Sequence, residues 1–159
     1  MIPEFPGRSS SVQALRPDLR VVIEFISVTL AKAMKIDRLD HLVLTVKDIE
    51  ATCKFYSTVL GMEIVSFGSG RRALSFGNQK INLHELGHEY LPHAEHPMTG
   101  SADLCLISAV PLSSVVDHLR ACAVSLVEGP VVRTGAAGKI RSVYIRDPDQ
   151  NLIEISEYM

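Results

Sequence analysis

The sequence has few cysteines, little net charge and no long apolar run, and each shortage removes a class of protein. Cys53, Cys105 and Cys122 are the only cysteines in 159 residues. Their odd number and wide spacing make neither a disulfide framework nor a zinc knuckle, which points to a reducing, intracellular compartment. A formal net charge of -2 leaves no electrostatic footprint for DNA, RNA or an anionic membrane. The nearest approach to a membrane span, Val21 to Ala31, is broken by Glu24 and is too short to cross a bilayer. What remains is the balance of a soluble globular protein, 47% apolar and 21% charged, with enough chain for one compact domain.

The first 34 residues differ from the rest. Arg8, Arg16 and Arg20 accompany an amphipathic stretch from Leu19 to Lys35, a pattern that suits a targeting segment. Glu4, Asp18 and Glu24 argue the other way, because transit peptides avoid acids. The expectation is a tail over 1–34, disordered or targeting, ahead of a domain over 35–159 that resides in the cytoplasm or a mitochondrion.

That domain is a diverged internal repeat. Leu39-Asp40-His41-Leu42-Val43-Leu44-Thr45-Val46 slides onto Ser101-Ala102-Asp103-Leu104-Cys105-Leu106-Ile107-Ser108, with Leu42 on Leu104 and Leu44 on Leu106. Each copy opens as a short apolar strand and runs into a helix. Asp48 caps the first helix, Ile49, Cys53, Tyr56 and Leu60 form its stripe, and Gly61 stops it. Glu50 and Lys54 are spaced for an i,i+4 ion pair. The second helix begins at Pro111, with Leu112, Val115, Leu119 and Cys122 as its stripe. Strand-like segments follow: Met62 to Phe67, Arg72 to Phe76 and Lys80 to Glu85 in one copy, Ser125 to Val127, Arg141 to Arg146 and Leu152 to Glu157 in the other. Gly77-Asn78 and Asp147-Pro148-Asp149-Gln150-Asn151 supply turns. Gly87 to Gly100 is a polar linker, and Gly129 to Gly138 is expected as a glycine-rich loop interrupting the second copy. The predicted fold class is α+β, two tandem βαβββ modules over 38–86 and 101–158.

The opening run Leu39 to Val46, followed by Phe55-Tyr56 and Leu60-Gly61-Met62, resembles the start of glyoxalase and vicinal-oxygen-chelate domains. Arg146-Asp147-Pro148-Asp149-Gln150-Asn151-Leu152-Ile153-Glu154 resembles the closing hairpin of the same family. Asn82-Leu83-His84-Glu85 and Pro97 to Leu106 resemble most the glyoxalase domain-containing protein 5 branch. The resemblance implies a half-barrel cleft bent from the two modules, with a divalent metal at its floor that chelates vicinal oxygens of a small-molecule substrate. It also implies a homodimer whose clefts are shared between subunits.

The repeat nominates candidate ligands by its own symmetry. His41 maps onto Asp103, and Ile153-Glu154-Ile155 maps onto Ile81-Asn82-Leu83, which pairs Glu154 with Asn82. The metal set is therefore His41, Asn82, Asp103 and Glu154. Where the family carries His, Glu or Gln, His and Glu, this chain matches at His41 and Glu154 and departs at Asn82 and Asp103. One imidazole, two carboxylates and an amide suit Mn, Fe or Mg, with Ni or Zn not distinguished. His84 lies two residues beyond Asn82, so strand alternation turns it to the same face as an alternative ligand or a proton carrier. The catalytic candidates are Glu154, which has a dual role in the glyoxalase pattern, and His84.

Three other features have plainer readings. His84-Glu85-Leu86-Gly87-His88 matches the zincin pattern H-E-x-x-H, but that chemistry needs a helix, and Lys80-Ile81-Asn82-Leu83 alternates like a strand. His88, His93 and His96 are solvated linker residues. Cys105 shares parity with Asp103 and is expected as a small buried thiol rather than a nucleophile. Arg133 to Lys139 is either a solvated loop or a cover that presents positive charge to the cleft.

The functional expectation is a metal-dependent glyoxalase-I-like lyase or isomerase acting on a small oxygenated substrate, with a thiol adduct among the candidates. The alternatives are a non-catalytic small-ligand-binding module of the same fold and an extradiol-type dioxygenase.

Overall fold

In the computed structural model of the chain, residues 34–159 are described. The described residues fall in two units, one ending at Arg38 and the other spanning Leu39–Met159. Apart from Met34, the expected tail falls outside the described residues. Among these, no helix is long and apolar enough to cross a membrane.

The second unit carries the element order β1 (His41–Val46), α1 (Ile49–Leu60), β2 (Glu63–Phe67), β3 (Arg71–Phe76), β4 (Gln79–Glu85), β5 (Asp103–Ile107), α2 (Leu112–Ala121), β6 (Glu128–Gly135), β7 (Gly138–Arg146) and β8 (Leu152–Tyr158). These are two βαβββ modules, as the repeat requires. Each builds a four-stranded sheet, in the order β1-β4-β3-β2 and β5-β8-β7-β6. The first strand of each module runs parallel to the last, and the remaining pairs are antiparallel.

Local chemistry accounts for the boundaries. The Asp48 side chain accepts the Ala51 N–H at 2.9 Å, which satisfies an otherwise orphaned donor at the start of α1. Gly61 ends the helix at φ +68, a conformation that glycine adopts without a Cβ penalty. Gly77-Asn78 joins β3 to β4, with Phe76 and Gln79 directly paired across the two-residue loop.

Both sheets turn one face into a single core. Leu44, Val46, Leu74, Ile81 and Leu83 from the first meet Val143, Ile145, Ile153 and Ile155 from the second. Tyr56 of α1 and Leu119 of α2 belong to the same cluster. The opposite sheet faces therefore look away from the core.

The Asp147–Asn151 turn clasps the modules together. Asp147 Oδ1 accepts the N–H groups of Asp149 and Asn151, and Asp147 Oδ2 accepts the Asn151 amide at 2.8 Å and the Tyr56 hydroxyl at 2.9 Å. Asp149 accepts the Lys47 N–H just beyond β1, and Asn151 Oδ1 accepts the Ala102 N–H just before β5. Burial, with the Asp147 carboxylate alongside, pushes the Tyr56 phenol far above its ordinary pKa. It is thereby held as a hydrogen-bond donor.

Two expectations are corrected. Residues 129–138 are not a loop: β6 and β7 form a hairpin with Gly135 paired to Gly138, and the strand begins at Glu128 rather than at Ser125. The glycines serve close packing here, since a Cβ on Gly129 would lie 2.5 Å from the Ser142 carbonyl oxygen. The Glu50–Lys54 ion pair gives way to Glu50–Arg72 at 3.2 Å, because β3 brings a guanidinium beside the first turn of α1.

Candidate metal and substrate face

Strand alternation and register decide which side chains share the outward faces. On the first sheet, His41 pairs with Lys80 and Val43 with Asn82. His41, Asn82 and His84 consequently lie on the outward face, with His41 and Asn82 as diagonal neighbours on adjacent strands. On the second, Asp103 pairs with Leu152 and Cys105 with Glu154. Asp103 and Glu154 are therefore diagonal neighbours in the same register, and the symmetry inferred from sequence holds strand for strand.

The structure brings the four candidates together in pairs only. Among the described residues, no three His, Cys, Asp or Glu side chains converge as a metal-binding group. His41 lies beside Asn82, and Asp103 lies beside Glu154.

Each pair has its own electrostatics. His41 is exposed, and its Nδ1 lies 2.6 Å from Asp40 Oδ1, which leaves Nε2 uncommitted. A carboxylate on one ring nitrogen is the usual arrangement behind a metal-ligating imidazole. Asn82 Oδ1 is buried without a hydrogen-bond partner. His84 is only 7% exposed, its ring lies edge-on to Tyr90 at 5.4 Å, and its Nδ1 also lacks a partner. Burial lowers the His84 pKa, with His93 and Arg71 adding to the effect and Glu89 opposing it. The imidazole is accordingly neutral at neutral pH.

Glu154 sits in a polar nest that the sequence did not reveal. Burial raises its pKa, but the side chains of Ser142, Tyr144, Cys105 and Ser156 outweigh that by hydrogen bonding, and the net shift is downward. Ser142 and Ser156 are themselves buried and 2.8 Å apart. Alternation along β7 was the available signal, because Ser142 and Tyr144 share parity in a segment already read as a strand.

The remaining candidates fall outside this chemistry. Cys105 is exposed rather than buried, since it lies on the face of its strand opposite Leu104 and Leu106, which pack on the core. Partial desolvation of the thiol by its neighbours, reinforced by Glu154 and Asp103 and partly offset by Ser156, raises its pKa and makes it a poor nucleophile. The His84-to-His88 segment is the end of β4 and a turn, so the zincin geometry is absent from it. Arg133 lies in β6 and is tied to Glu128 at 2.7 Å and to the Tyr144 hydroxyl, which corrects the expectation of a loop cover. A cavity of about 520 Å³ lies elsewhere, between Leu60, Met62, Phe76, Ile107, Val110 and His118. None of the four candidate ligands lines it.

Comparison with known proteins places this geometry. Residues 38–155 match the family described as the Glyoxalase/Bleomycin resistance protein/Dioxygenase superfamily. Virulence protein STM3117 of Salmonella typhimurium is 57% identical over 126 residues, covering 79% of this chain and 88% of that protein. Its crystal structure superposes with a TM-score of 0.78, covering 79% of this chain and 100% of that one. Glyoxalase domain-containing protein RDO1 of Mycosarcoma maydis is 50% identical over 127 residues, covering 80% of this chain and 72% of its own. An integron cassette protein from the V. Pseudocholerae mobile metagenome is 61% identical, with a TM-score of 0.78 and coverage of 79% and 98%.

Proposed function

Because the chain belongs to the Glyoxalase/Bleomycin resistance protein/Dioxygenase superfamily, we propose that it is a metal-dependent lyase or isomerase of the glyoxalase I kind. Its substrate is a small oxygenated molecule, with a thiol adduct among the candidates. Within the superfamily, Asn82-Leu83-His84-Glu85 supports a place near the glyoxalase domain-containing protein 5 branch.

The observation that carries this reading is the buried Asn82 Oδ1 with no donor, diagonal to a histidine whose other ring nitrogen is already held by a carboxylate. A buried oxygen left without a donor is costly, and a cation satisfies it. Asn82 and His41 would hold the metal from one side, and Asp103 and Glu154 from the other. A divalent metal there supplies Lewis-acid polarisation of the substrate oxygens. The donor set is oxygen-rich, which favours Mn, Fe or Mg over a thiolate-seeking ion. Glu154 has its charge stabilised by its polar nest and accepts a proton from the substrate carbon, while neutral His84 is a second proton carrier.

The two half-sites lie on faces that both turn away from the common core. One site therefore combines His41 and Asn82 of one subunit with Asp103 and Glu154 of another, in a homodimer. A binding module without turnover is the second reading, favoured by the neutral amide at Asn82.

The test uses His41→Ala and Glu154→Ala. Each variant alone is expected to lose stoichiometric metal, measured by mass spectrometry, with circular dichroism unchanged. Unfolded and refolded together, they form mixed dimers in which one site carries both lesions and the other carries neither. Random pairing makes half the dimers mixed, so about a quarter of all sites regain metal. A monomer by light scattering, or no recovery despite proven subunit exchange, would sink the shared site. Wild-type protein that takes up no metal would sink metal dependence itself.

A further inference from the structure

Arg71 and Lys80 share the outward face of the first sheet with Asn82 and His84. The Arg71 guanidinium carbon lies 4.9 Å from the centroid of the Phe67 ring, and the Lys80 ammonium lies 4.2 Å from the same centroid. Arg71 also packs over Tyr90 at 5.3 Å. Two cations are thus held against one ring and can be no farther apart than the sum of those distances. That separation is within about one Debye length at 0.1 M salt, so they repel.

Among the described residues, neither forms a salt bridge with a carboxylate. Arg72, Arg120, Arg133 and Arg141 each meet an acid at 3.2 Å or less. Arg71 and Lys80 have no such ion pair among the described residues, and cation–π contacts with Phe67 and Tyr90 fix them instead.

The fold does not demand this arrangement. Sheet register in the second module sets Val131, Ser142 and Leu152 at the positions of Phe67, Arg71 and Lys80. A second observation on the same face points to a ligand. His84 is buried with Nδ1 unpartnered, and Asn82 Oδ1 is likewise unpartnered. The His84 ring, as its Nδ1–H tautomer, would donate to a bound anion, whereas the Asn82 oxygen is an acceptor and is left to the proposed cation.

We propose that the outward face of the first module is an anion subsite, in which Arg71 and Lys80 receive a carboxylate or phosphate group of the substrate beside Asn82 and His84. This gives the substrate class as a small oxygenated anion. It rests on the reading that this face lines the substrate cleft, yet anion binding requires neither metal nor turnover. Phe67 and Tyr90 keep the two cations ordered, so little side-chain freedom is lost when the anion arrives.

The experiment titrates the chelator-treated full chain with inorganic phosphate, and separately with malonate, by calorimetry at constant ionic strength. Saturable binding of at least one probe is expected, and the tighter probe identifies the head group. Arg71→Met and Lys80→Met should each weaken binding about tenfold or more, the loss of one charge-assisted contact. Arg71→Lys keeps the charge and should retain part of the affinity, while Lys54→Met, on the far side of α1, should bind as wild type does. Circular dichroism and thermal melting establish that each variant is folded.

Absence of saturable binding in the wild type, or equal affinity in the folded Arg71→Met and Lys80→Met variants, overturns the subsite. Metal content of the untreated protein is read separately. Anion binding without metal uptake upholds the subsite against the metal-dependent reading, and metal uptake without anion binding does the reverse.

Discussion

The clasp at Asp147 makes a quantitative demand on Tyr56. The Tyr56 hydroxyl is buried and donates to Asp147 Oδ2 at 2.9 Å, across the boundary between the modules. Tyr56→Phe keeps the ring in the core and removes only this donor. A hydrogen bond to a charged group contributes about 1.5–3 kcal/mol. The lower half of that range is expected, because Asp147 Oδ2 retains the Asn151 amide at 2.8 Å and is not left without a donor. For a domain of this size, each kcal/mol moves Tm by about 3–6 °C, so a fall of roughly 5–12 °C is expected. Calorimetry and urea titration should agree, with the m-value unchanged, since the change leaves the buried surface intact. Tyr158→Phe is the matched control, because its hydroxyl only accepts the Ala137 N–H at 3.3 Å on an exposed residue. It should cost less than about 0.5 kcal/mol. Equal losses in the two variants would refute the claim that the Asp147 turn carries module docking.

Two further outcomes follow from the structure. The His84 pKa is lowered in the folded chain from its ordinary 6.5, so the unfolded chain takes up protons more readily as pH falls. Stability is then unaffected well above pH 6.5 and declines as pH drops through 6.5 toward the folded value. His84→Gln should flatten that decline in urea titrations run across this range, and an unchanged slope would mean that other groups produce it. Gly129 has φ +107, and a Cβ there would meet the Ser142 oxygen at 2.5 Å, whereas Gly61 at φ +68 has nothing within 4 Å. Gly129→Ala should therefore cost about 2–5 kcal/mol and Gly61→Ala about 1–2 kcal/mol, read as the difference in melting midpoints. Similar costs would show that backbone strain, and not close packing, governs Gly129.

The parts of the fold that were legible are those whose signals are local. Asp48, the Cys53-Tyr56 stripe and Gly61 fix α1 by capping and periodicity, and Leu42 and Leu44 superpose on Leu104 and Leu106 because each module buries the same strand face. Where the second copy was misread, the cause was non-local. Gly129, Gly135 and Gly138 are punctuation to a local reading, but Gly129 and Gly135 leave room for the β7 backbone and Ile140. The Glu50–Lys54 spacing is equally local, and it lost to Arg72, which the fold delivers from β3.

The candidate site was legible to the same depth and for the same reason. Alternation has period two, so it assigns His41, Asn82 and His84 to one face and Asp103 and Glu154 to another without knowing where either face points. That last step depends on how the modules dock. Tyr56, Asp147, Asp149 and Asn151 settle the docking through a turn whose buried carboxylates look like ordinary loop acids in the sequence. Docking of this kind sends both helix-bearing faces into one core, and the candidate ligands must then turn outward. The symmetry that made the ligands easy to nominate, read together with the clasp, is what the proposed shared site rests on. Arg71 and Lys80 escaped notice because they break that symmetry, and positions where a repeat departs from its twin without a packing reason are where ligand recognition is best sought.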